Sequence, residues 1–198
     1  MAAAMREAKS LLRREMKQRI AALSSEEKVQ QSAIIFKKLT SHPVYQSSQR
    51  ISVYLSTADE VNTQGILEHM FANNKKAYVP QYIGPRMDML RLYSMEDYDT
   101  LPLTKWNIKQ PGEGDQREEA LATGGLDLII VPGLAFTTGG DRLGKGKGYY
   151  DKYQERCAKH PGGKPKTIAL AFKEQMCATV PVSESDVTID YVIHGDAD

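Results

Sequence analysis

The chain has 198 residues, of which 41% are hydrophobic and 26% are charged, with 26 basic side chains against 25 acidic ones. This composition is typical of a soluble globular protein, and the length suits one packed domain, which we expect to cover residues 1–198. The balanced charge gives no indication of a nucleic-acid partner. The two cysteines, Cys157 and Cys177, exclude a disulfide framework and are expected to be packing residues in a reducing cytosol.

The apolar runs and the N-terminus indicate a protein that is neither secreted nor embedded in a membrane. No apolar run approaches the roughly 20 residues that span a bilayer, and the N-terminus lacks the apolar core of a secretory signal. Residues 1–20 are basic and amphipathic, as in a mitochondrial transit peptide, but Glu7 and Glu15 interrupt the acid-poor pattern of such peptides. We therefore expect a cytoplasmic location, no membrane contact, and a chain that acts as a monomer.

Two helices are predicted before the first strand. Apolar residues recur at helical spacing over residues 5–23, and Ser24-Ser-Glu-Glu27 resembles a capping box at the start of a second helix that ends near His42-Pro43. A β-rich strand over residues 50–55 and a helix over residues 62–73 follow.

The rest of the chain alternates between strand and helix patterns. A short strand over residues 76–79 is predicted to end at Pro80, an alternating strand covers residues 87–93, and a long polar stretch rich in Pro and Gly follows. Further elements are predicted over four ranges: a strand over 126–131, a helix over 149–160, and strands over 167–171 and 191–193. This alternation predicts an α/β fold, a three-layer sandwich in which helices flank a largely parallel sheet.

The most informative segment is Gly-Gly-Asp-Arg-Leu-Gly-Lys-Gly-Lys-Gly-Tyr-Tyr-Asp, residues 139–151, here called the glycine-rich loop. It lies between a buried-type strand and a helix, where backbone N–H groups, the helix N-terminus and the cations Arg142, Lys145 and Lys147 can bind phosphate. It does not fit a Walker A loop, because Gly146 stands where a Ser or Thr hydroxyl would hold magnesium. Its glycine spacing also differs from the dinucleotide fingerprint G-x-G-x-x-G.

A second polar segment, Ser56-Thr-Ala-Asp-Glu60, follows the strand over residues 50–55. The carboxyl ends of parallel strands meet at one edge of the sheet, so this segment and the glycine-rich loop are candidates for the same cleft. Glu60 would orient a polar substrate there. The alternative is that Glu60 provides a negative charge at the N-terminus of the helix over residues 62–73.

These segments resemble the 5-formyltetrahydrofolate cyclo-ligase family. The run Arg142-Leu-Gly-Lys-Gly-Lys-Gly-Tyr-Tyr-Asp151 is similar to the nucleotide-loop signature of that family. Four other segments are similar to its animal branch, in the same order: Arg50-Ile-Ser-Val-Tyr-Leu-Ser56, Trp106-Asn-Ile-Lys-Gln-Pro-Gly-Glu-Gly114, Gly124-Gly-Leu-Asp-Leu-Ile129 and Leu170-Ala-Phe-Lys-Glu-Gln175.

The resemblance implies conversion of 5-formyltetrahydrofolate to 5,10-methenyltetrahydrofolate, with ATP as co-substrate, Mg²⁺ as cofactor, and release of ADP and phosphate. A formyl oxygen is a poor leaving group, and transfer of the γ-phosphoryl group onto it lets N10 close the ring. The protein would mainly position the reactants and neutralise charge.

Carried over residue by residue, the resemblance implies an ATP site and three catalytic residues, Lys147, Arg142 and Tyr149. The ATP contacts would be Lys9, Arg13, Arg142, Leu143, Gly144, Lys145, Gly146, Lys147, Gly148, Tyr149 and Tyr150. Lys9 and Arg13 are i,i+4 neighbours, and like charges at that spacing are unfavourable unless an anion compensates. Without the resemblance, Lys9 and Arg13 would be interpreted as part of a solvent-exposed basic helix face. Because Arg14 adjoins Arg13, it stays open which of the two guanidinium groups contacts the nucleotide.

For the metal, the resemblance points to Asp151 and Asp186, with Glu184 and Asp190 open as alternatives to Asp186. Two carboxylates beside a triphosphate suffice for magnesium.

For folate, the resemblance implies contacts from Leu55, Glu60, Trp106, Lys145, Gly146, Lys147, Gly148 and Tyr149. An aromatic ring suits a flat pterin, and a carboxylate accepts hydrogen bonds from its N–H groups. The lysines would also meet the glutamate tail of the substrate, whereas Tyr149 and Tyr150 have an alternative role in packing.

The sequence departs from the family pattern after Phe136, where many members have an acid and this chain has Thr137-Thr138. Two other functions are weighed against the enzyme: a non-catalytic module that binds RNA or folate through the basic loop and its tyrosines, and a small-molecule kinase. The kinase requires the metal-binding Ser or Thr that the loop lacks.

Overall fold

The computed structural model describes residues 2–197. Helices α1 (Ala2–Ala21) and α2 (Ser25–Thr40) precede the first strand, as predicted. Ser24 forms the expected capping box: its Oγ accepts from Glu27 N at 3.1 Å, and Glu27 Oε2 accepts from Ser24 N at 2.7 Å. A short helix, α3 (Pro43–Ser47), begins where the second helix was predicted to end.

Within residues 2–197, eight strands follow in chain order: β1 (Arg50–Val53), β2 (Lys76–Ile83), β3 (Arg86–Leu92), β4 (Leu128–Val131), β5 (Ala135–Phe136), β6 (Arg142–Leu143), β7 (Lys166–Ala171) and β8 (Tyr191–His194). Six of them form one sheet in the order β3-β2-β1-β4-β7-β8, in which only β3 runs antiparallel to its neighbour. The predicted α/β architecture with a largely parallel sheet is confirmed.

Alternating residues of the strands cover the two faces of this sheet. Ile51, Ile130 and Leu170 pack on one face with α2 and α4 (Gln64–Ala72). Ile129 and Ala171 pack on the other face with α6 (Tyr149–Ala158), which carries the buried Tyr153 and Cys157. The central strands β4 and β7 are therefore apolar on both sides, as expected for a parallel sheet between two layers of helices.

The prediction that β2 ends at Pro80 is wrong, because the strand continues to Ile83. Pro80 pairs with Met89 of β3, whereas β1 pairs with β2 only as far as Tyr78. Proline removes one ladder donor and is tolerated where a strand is paired on one side only. The carboxyl end of β2 therefore lies farther along the chain than predicted.

Two further elements were not predicted. Helix α5 (Met95–Thr100) lies within the stretch interpreted as polar loop, and the Ser94 side chain caps it by accepting from Asp97 N at 3.0 Å. Strands β5 and β6 form an antiparallel hairpin, and β6 lies inside the segment interpreted as the glycine-rich loop. Only residues 144–148 separate this hairpin from α6.

Helix α1 packs on the β5–β6 hairpin. Met16 and Ile20 of α1 form a small apolar cluster with Leu134 and Leu143 from the strands and their flanks. This contact brings the N-terminal helix to the glycine-rich loop. Within residues 2–197, none of the helices combines the length and the apolarity needed to cross a membrane.

Candidate functional site

A cleft of about 1140 Å³ lies beyond the carboxyl ends of β1, β2 and β4. All residues that the sequence nominated for ATP, folate and metal line this one cleft: Lys9, Arg13, Leu55, Glu60, Trp106, Arg142, Leu143, Gly144, Lys145, Gly146, Lys147, Gly148, Tyr149, Tyr150, Asp151 and Asp186. The structure therefore brings together residues from both ends of the chain.

The β5–β6 hairpin fixes the entry to the glycine-rich loop. Thr137 N donates to Asp141 O at 3.0 Å, and Thr137 Oγ1 accepts from Asp141 N at 3.0 Å. The threonine hydroxyl oxygen thus acts as an acceptor that closes the turn between the two strands. Gly140 adopts φ +98°, which an L side chain rarely adopts, and its carbonyl accepts from Ile189 N at 2.9 Å.

Arg142 is held at the base of the cleft. Its Nε donates to Pro132 O at 2.7 Å, and its guanidinium lies 5.4 Å from the centre of the Tyr150 ring. Burial lowers the pKa of Arg142, and the nearby Asp151 carboxylate opposes this effect. The guanidinium therefore presents a fixed charge whose Nη groups remain available to an anion.

Residues 144–148 lead into α6 with two glycines at positive φ, Gly146 at +110° and Gly148 at +71°. Gly148 is the N-cap of α6 and provides no side-chain hydrogen bond, so the first N–H groups of the helix keep no side-chain cap. Lys145 Nζ lies 3.7 Å from Glu60 Oε2, while Lys147 is exposed and has no partner among residues 2–197. These groups suit phosphate oxygens.

Arg13, and not Arg14, faces the cleft. Arg13 Nε donates to Gly144 O at 2.9 Å, and its guanidinium carbon lies 3.6 Å from the position that a Gly146 Cβ would take. Arg14 is exposed and does not line the cleft. The geometry therefore favours Arg13 over Arg14 as the candidate nucleotide contact.

The candidate metal ligand Asp186 is paired with the candidate ATP ligand Lys9. Lys9 Nζ lies 2.6 Å from Asp186 Oδ2, which also accepts from Ser183 N at 2.7 Å. Burial of the Asp186 carboxyl raises its pKa, but Lys9 and Ser183 together outweigh burial and hold the pKa below its usual value. The carboxyl is therefore ionised at neutral pH.

The two alternatives to Asp186 lie elsewhere. Asp190 Oδ2 accepts from Thr167 N at 2.9 Å at the start of β7, away from the cleft. Glu184 is exposed and does not line the cleft. The geometry therefore favours Asp186.

The carboxylates of Asp151 and Asp186 fit a magnesium ion that also binds phosphate. Asp151 Oδ1 accepts from Val187 N at 3.0 Å, which connects α6 to the segment that carries Asp186. Within residues 2–197, no group of three or more His, Cys, Asp or Glu side chains forms a complete metal site. Magnesium needs no such cage, because it usually takes one or two carboxylates together with phosphate oxygens and water.

Glu60, Leu55 and Trp106 form the other end of the cleft. The Glu60 Oε1 atom accepts from Thr57 N at 2.9 Å, and its side chain is 13% exposed. Helix α4 has no acidic residue in its first turn, so the alternative role of Glu60 at that helix is not supported. Trp106 is 73% exposed at the rim, in a turn organised by Thr104.

Tyr82 belongs to the cleft and was missed, because the strand was predicted to end at Pro80. Its ring centre lies 4.8 Å from that of Tyr149, whose hydroxyl donates to Gly84 O at 2.7 Å. Burial raises the pKa of Tyr82 to about 12, so its phenol is neutral at physiological pH. Tyr150, in the first turn of α6, is buried in the apolar cluster between that helix and the sheet, as the packing interpretation expected, but it also lines the cleft.

Comparison with known proteins finds relatives that match nearly the whole chain. The 5-formyltetrahydrofolate cyclo-ligase family model matches residues 5–195. The 5-formyltetrahydrofolate cyclo-ligase of Mus musculus is 53% identical over 96% of this chain and 95% of its own length. A probable 5-formyltetrahydrofolate cyclo-ligase of Caenorhabditis elegans is 40% identical over 96% of this chain and 94% of its own.

Among solved structures, the 5,10-methenyltetrahydrofolate synthetase of Aquifex aeolicus superposes with a TM-score of 0.77. It is 28% identical in sequence, and the match covers 96% of this chain and 90% of that one. The sequence match and the shared fold show that the chain belongs to the 5-formyltetrahydrofolate cyclo-ligase family.

Proposed function

We propose that this protein converts 5-formyltetrahydrofolate to 5,10-methenyltetrahydrofolate, with consumption of ATP in the presence of Mg²⁺ and release of ADP and phosphate. The observation that carries the proposal is the single cleft, which joins a cationic, glycine-rich end to an end built from aromatic rings and a carboxylate. A phosphoryl transfer onto a folate requires both ligands in one cavity.

The phosphate end of the cleft is formed by α1, the β5–β6 hairpin and residues 144–148. Arg13 and Arg142 are fixed there by hydrogen bonds to the carbonyl oxygens of Gly144 and Pro132, so their charges are oriented before a ligand binds. Such preorganised charge is the main means by which proteins stabilise a transferring phosphoryl group. Bound Mg²⁺ would neutralise phosphate charge, and Asp151 and Asp186 would hold it.

The folate end is formed by the segment after β1, the last residues of β2 and the turn around Trp106, which follows α5. Trp106 and Tyr82 offer aromatic faces to a pterin, and the Glu60 carboxylate offers an acceptor for its N–H groups. Lys145 of the phosphate end lies 3.7 Å from Glu60 of the folate end, so the two ends adjoin, which would place the formyl group of the substrate next to the γ-phosphate of ATP. This proximity favours direct transfer over hydrolysis of ATP.

In this mechanism the formyl oxygen attacks the γ-phosphorus, and the bond from that phosphorus to the ADP oxygen breaks. Arg142, Lys147 and the N-terminus of α6 stabilise the transferring charge. N10 then attacks the activated formyl carbon, the bond from that carbon to the phosphorylated oxygen breaks, and inorganic phosphate leaves as N10 loses its proton. Tyr149, held through Gly84, would keep the substrate and the loop aligned.

The cleft requires no second copy of the chain, since every residue named for ATP, magnesium and folate belongs to one chain. We therefore propose a monomeric enzyme of one domain that acts in the cytoplasm.

The test is the ultraviolet absorbance of the methenyl product, recorded with purified protein, 5-formyltetrahydrofolate, ATP and Mg²⁺. We expect product only when ATP is present, with ADP released in equal amount. Folded protein that binds folate or RNA but forms no product at saturating substrate would refute the proposal and support the binding module instead.

A further inference from the structure

The ion pair between Lys9 and Asp186 closes one side of the phosphate end of the cleft. Its two side chains are only 15% and 16% exposed, and 2.6 Å separates Nζ from Oδ2. The same carboxylate oxygen accepts from the backbone N–H and, at 3.1 Å, from the hydroxyl of Ser183. Both charges line the cleft, yet each is neutralised by the other.

A nucleotide without metal, or a metal ion without nucleotide, would break this ion pair on entering the cleft and would leave one of its two charges unpaired. A metal-free triphosphate attracts the Lys9 ammonium and leaves the Asp186 carboxylate unpaired beside phosphate oxygens. A lone divalent cation attracts Asp186 and leaves the Lys9 ammonium unpaired beside another cation. Removing one partner of a part-buried ion pair is expensive, because the remaining charge stays poorly solvated.

The complete complex avoids both costs, because it carries a partner for each charge. The phosphate oxygens replace Asp186 at Lys9, and the metal replaces Lys9 at Asp186. We infer that this exchange of partners makes the cleft select the magnesium–nucleotide complex over either component alone. The inference rests on the proposed function for the identity of the two ligands, and it adds how the site discriminates among their forms.

The first experiment measures calorimetric binding of a non-hydrolysable ATP analogue, with excess Mg²⁺ and with EDTA, to the wild type and to Asp186→Asn. The quantity compared is the dissociation constant in EDTA divided by the dissociation constant in Mg²⁺. We expect this ratio to be lower in Asp186→Asn than in the wild type by about tenfold or more, which corresponds to one charge-assisted hydrogen bond. Glu184→Gln is the matched control, because it removes an exposed carboxylate two residues away and should keep the wild-type ratio.

The second experiment tests the Lys9 side of the pair. It measures binding of Mn²⁺ in the absence of nucleotide, through the electron paramagnetic resonance signal of the ion. Lys9→Met frees Asp186, so we expect it to bind Mn²⁺ about tenfold more tightly than the wild type in the absence of nucleotide. Lys17→Met removes one positive charge from an exposed position of the same helix and should leave Mn²⁺ binding unchanged. The double variant Lys9→Met/Asp186→Asn has no unpaired charge, so it can be measured even if a single variant does not fold. We expect it to show neither tight Mn²⁺ binding nor the wild-type magnesium dependence of nucleotide binding.

The inference is overturned if Asp186→Asn, or the double variant, keeps the wild-type magnesium dependence, or if Lys9→Met binds Mn²⁺ no more tightly than Lys17→Met. These results leave the proposed function intact wherever turnover persists. A wild type that binds no nucleotide analogue under any metal condition would overturn both.

Discussion

Replacing Gly140 with alanine tests whether the β5–β6 hairpin is as tightly constrained as its geometry indicates. At φ +98° an added Cβ is strained and would overlap the carbonyl oxygen of Ile189. The backbone strain costs about 1–3 kcal/mol. A shift that relieves the overlap would disturb two hydrogen bonds, Gly140 N to Thr137 O at 3.1 Å and Ile189 N to Gly140 O at 2.9 Å.

Each of these hydrogen bonds contributes about 1 kcal/mol. We therefore expect Gly140→Ala to lower the free energy of unfolding by about 3–5 kcal/mol, and Tm by roughly 6–20 °C for a chain of this length. Denaturant titration and calorimetry measure both quantities.

The adjacent Gly139 provides the control. It has no positive φ, and its added Cβ would meet only the Thr137 hydroxyl, at 3.8 Å. Gly139→Ala should therefore change stability by less than about 0.5 kcal/mol. If the two variants unfold within that margin of each other, the hairpin is not constrained at Gly140 and our account of how it positions Arg142 is incorrect.

Two other predictions concern the loop and the ion pairs. Lys147→Ala should lower kcat by about a hundredfold and raise KM for 5-formyltetrahydrofolate by less than about threefold, because Lys147 would stabilise the phosphate in transit. Lys164→Ala, which changes an exposed lysine outside the cleft, is the control, and equal losses in both constants would assign Lys147 to substrate binding. Arg117 donates to both carboxylate oxygens of Asp97 at 2.7 Å and lowers the pKa of Asp97. That stabilisation is present above the unfolded pKa, about 4, and is lost as pH falls through the folded pKa. Asp97→Asn should therefore cost about 3 kcal/mol at pH 7, and a cost that stays constant down to about pH 2 would contradict the assignment.

Local patterns were sufficient to predict the layered fold and the location of the cleft. The helical spacing before residue 24 and the alternating strands over residues 50–55 and 87–93 depend on neighbours in sequence, and the corresponding elements α1, β1 and β3 lie close to their predicted positions. Because parallel strands align their carboxyl ends, the segments after β1 and β4 had to meet.

Features that depend on distant partners could not be predicted. Whether Pro80 ends a strand depends on which neighbour pairs beside it, and the pairing of β2 with β3 decides that question. The choice of Arg13 over Arg14 depends on where Gly144 lies. Lys9 and Asp186 are 177 positions apart, and nothing local to either residue indicates their contact. Helix α5, by contrast, could have been predicted from local sequence, because Ser94 is a typical N-cap residue at its start.

The exposed position of Trp106 gives the chain an optical reporter of its own. It is the single tryptophan of the sequence and is 73% exposed at the cleft rim, so intrinsic indole fluorescence arises from that one place. A water-exposed indole emits at longer wavelength than a covered one. Occupancy of the folate end can therefore be followed without a label, through the blue shift or quenching of this emission, while nucleotide binding at the other end is measured in the same sample.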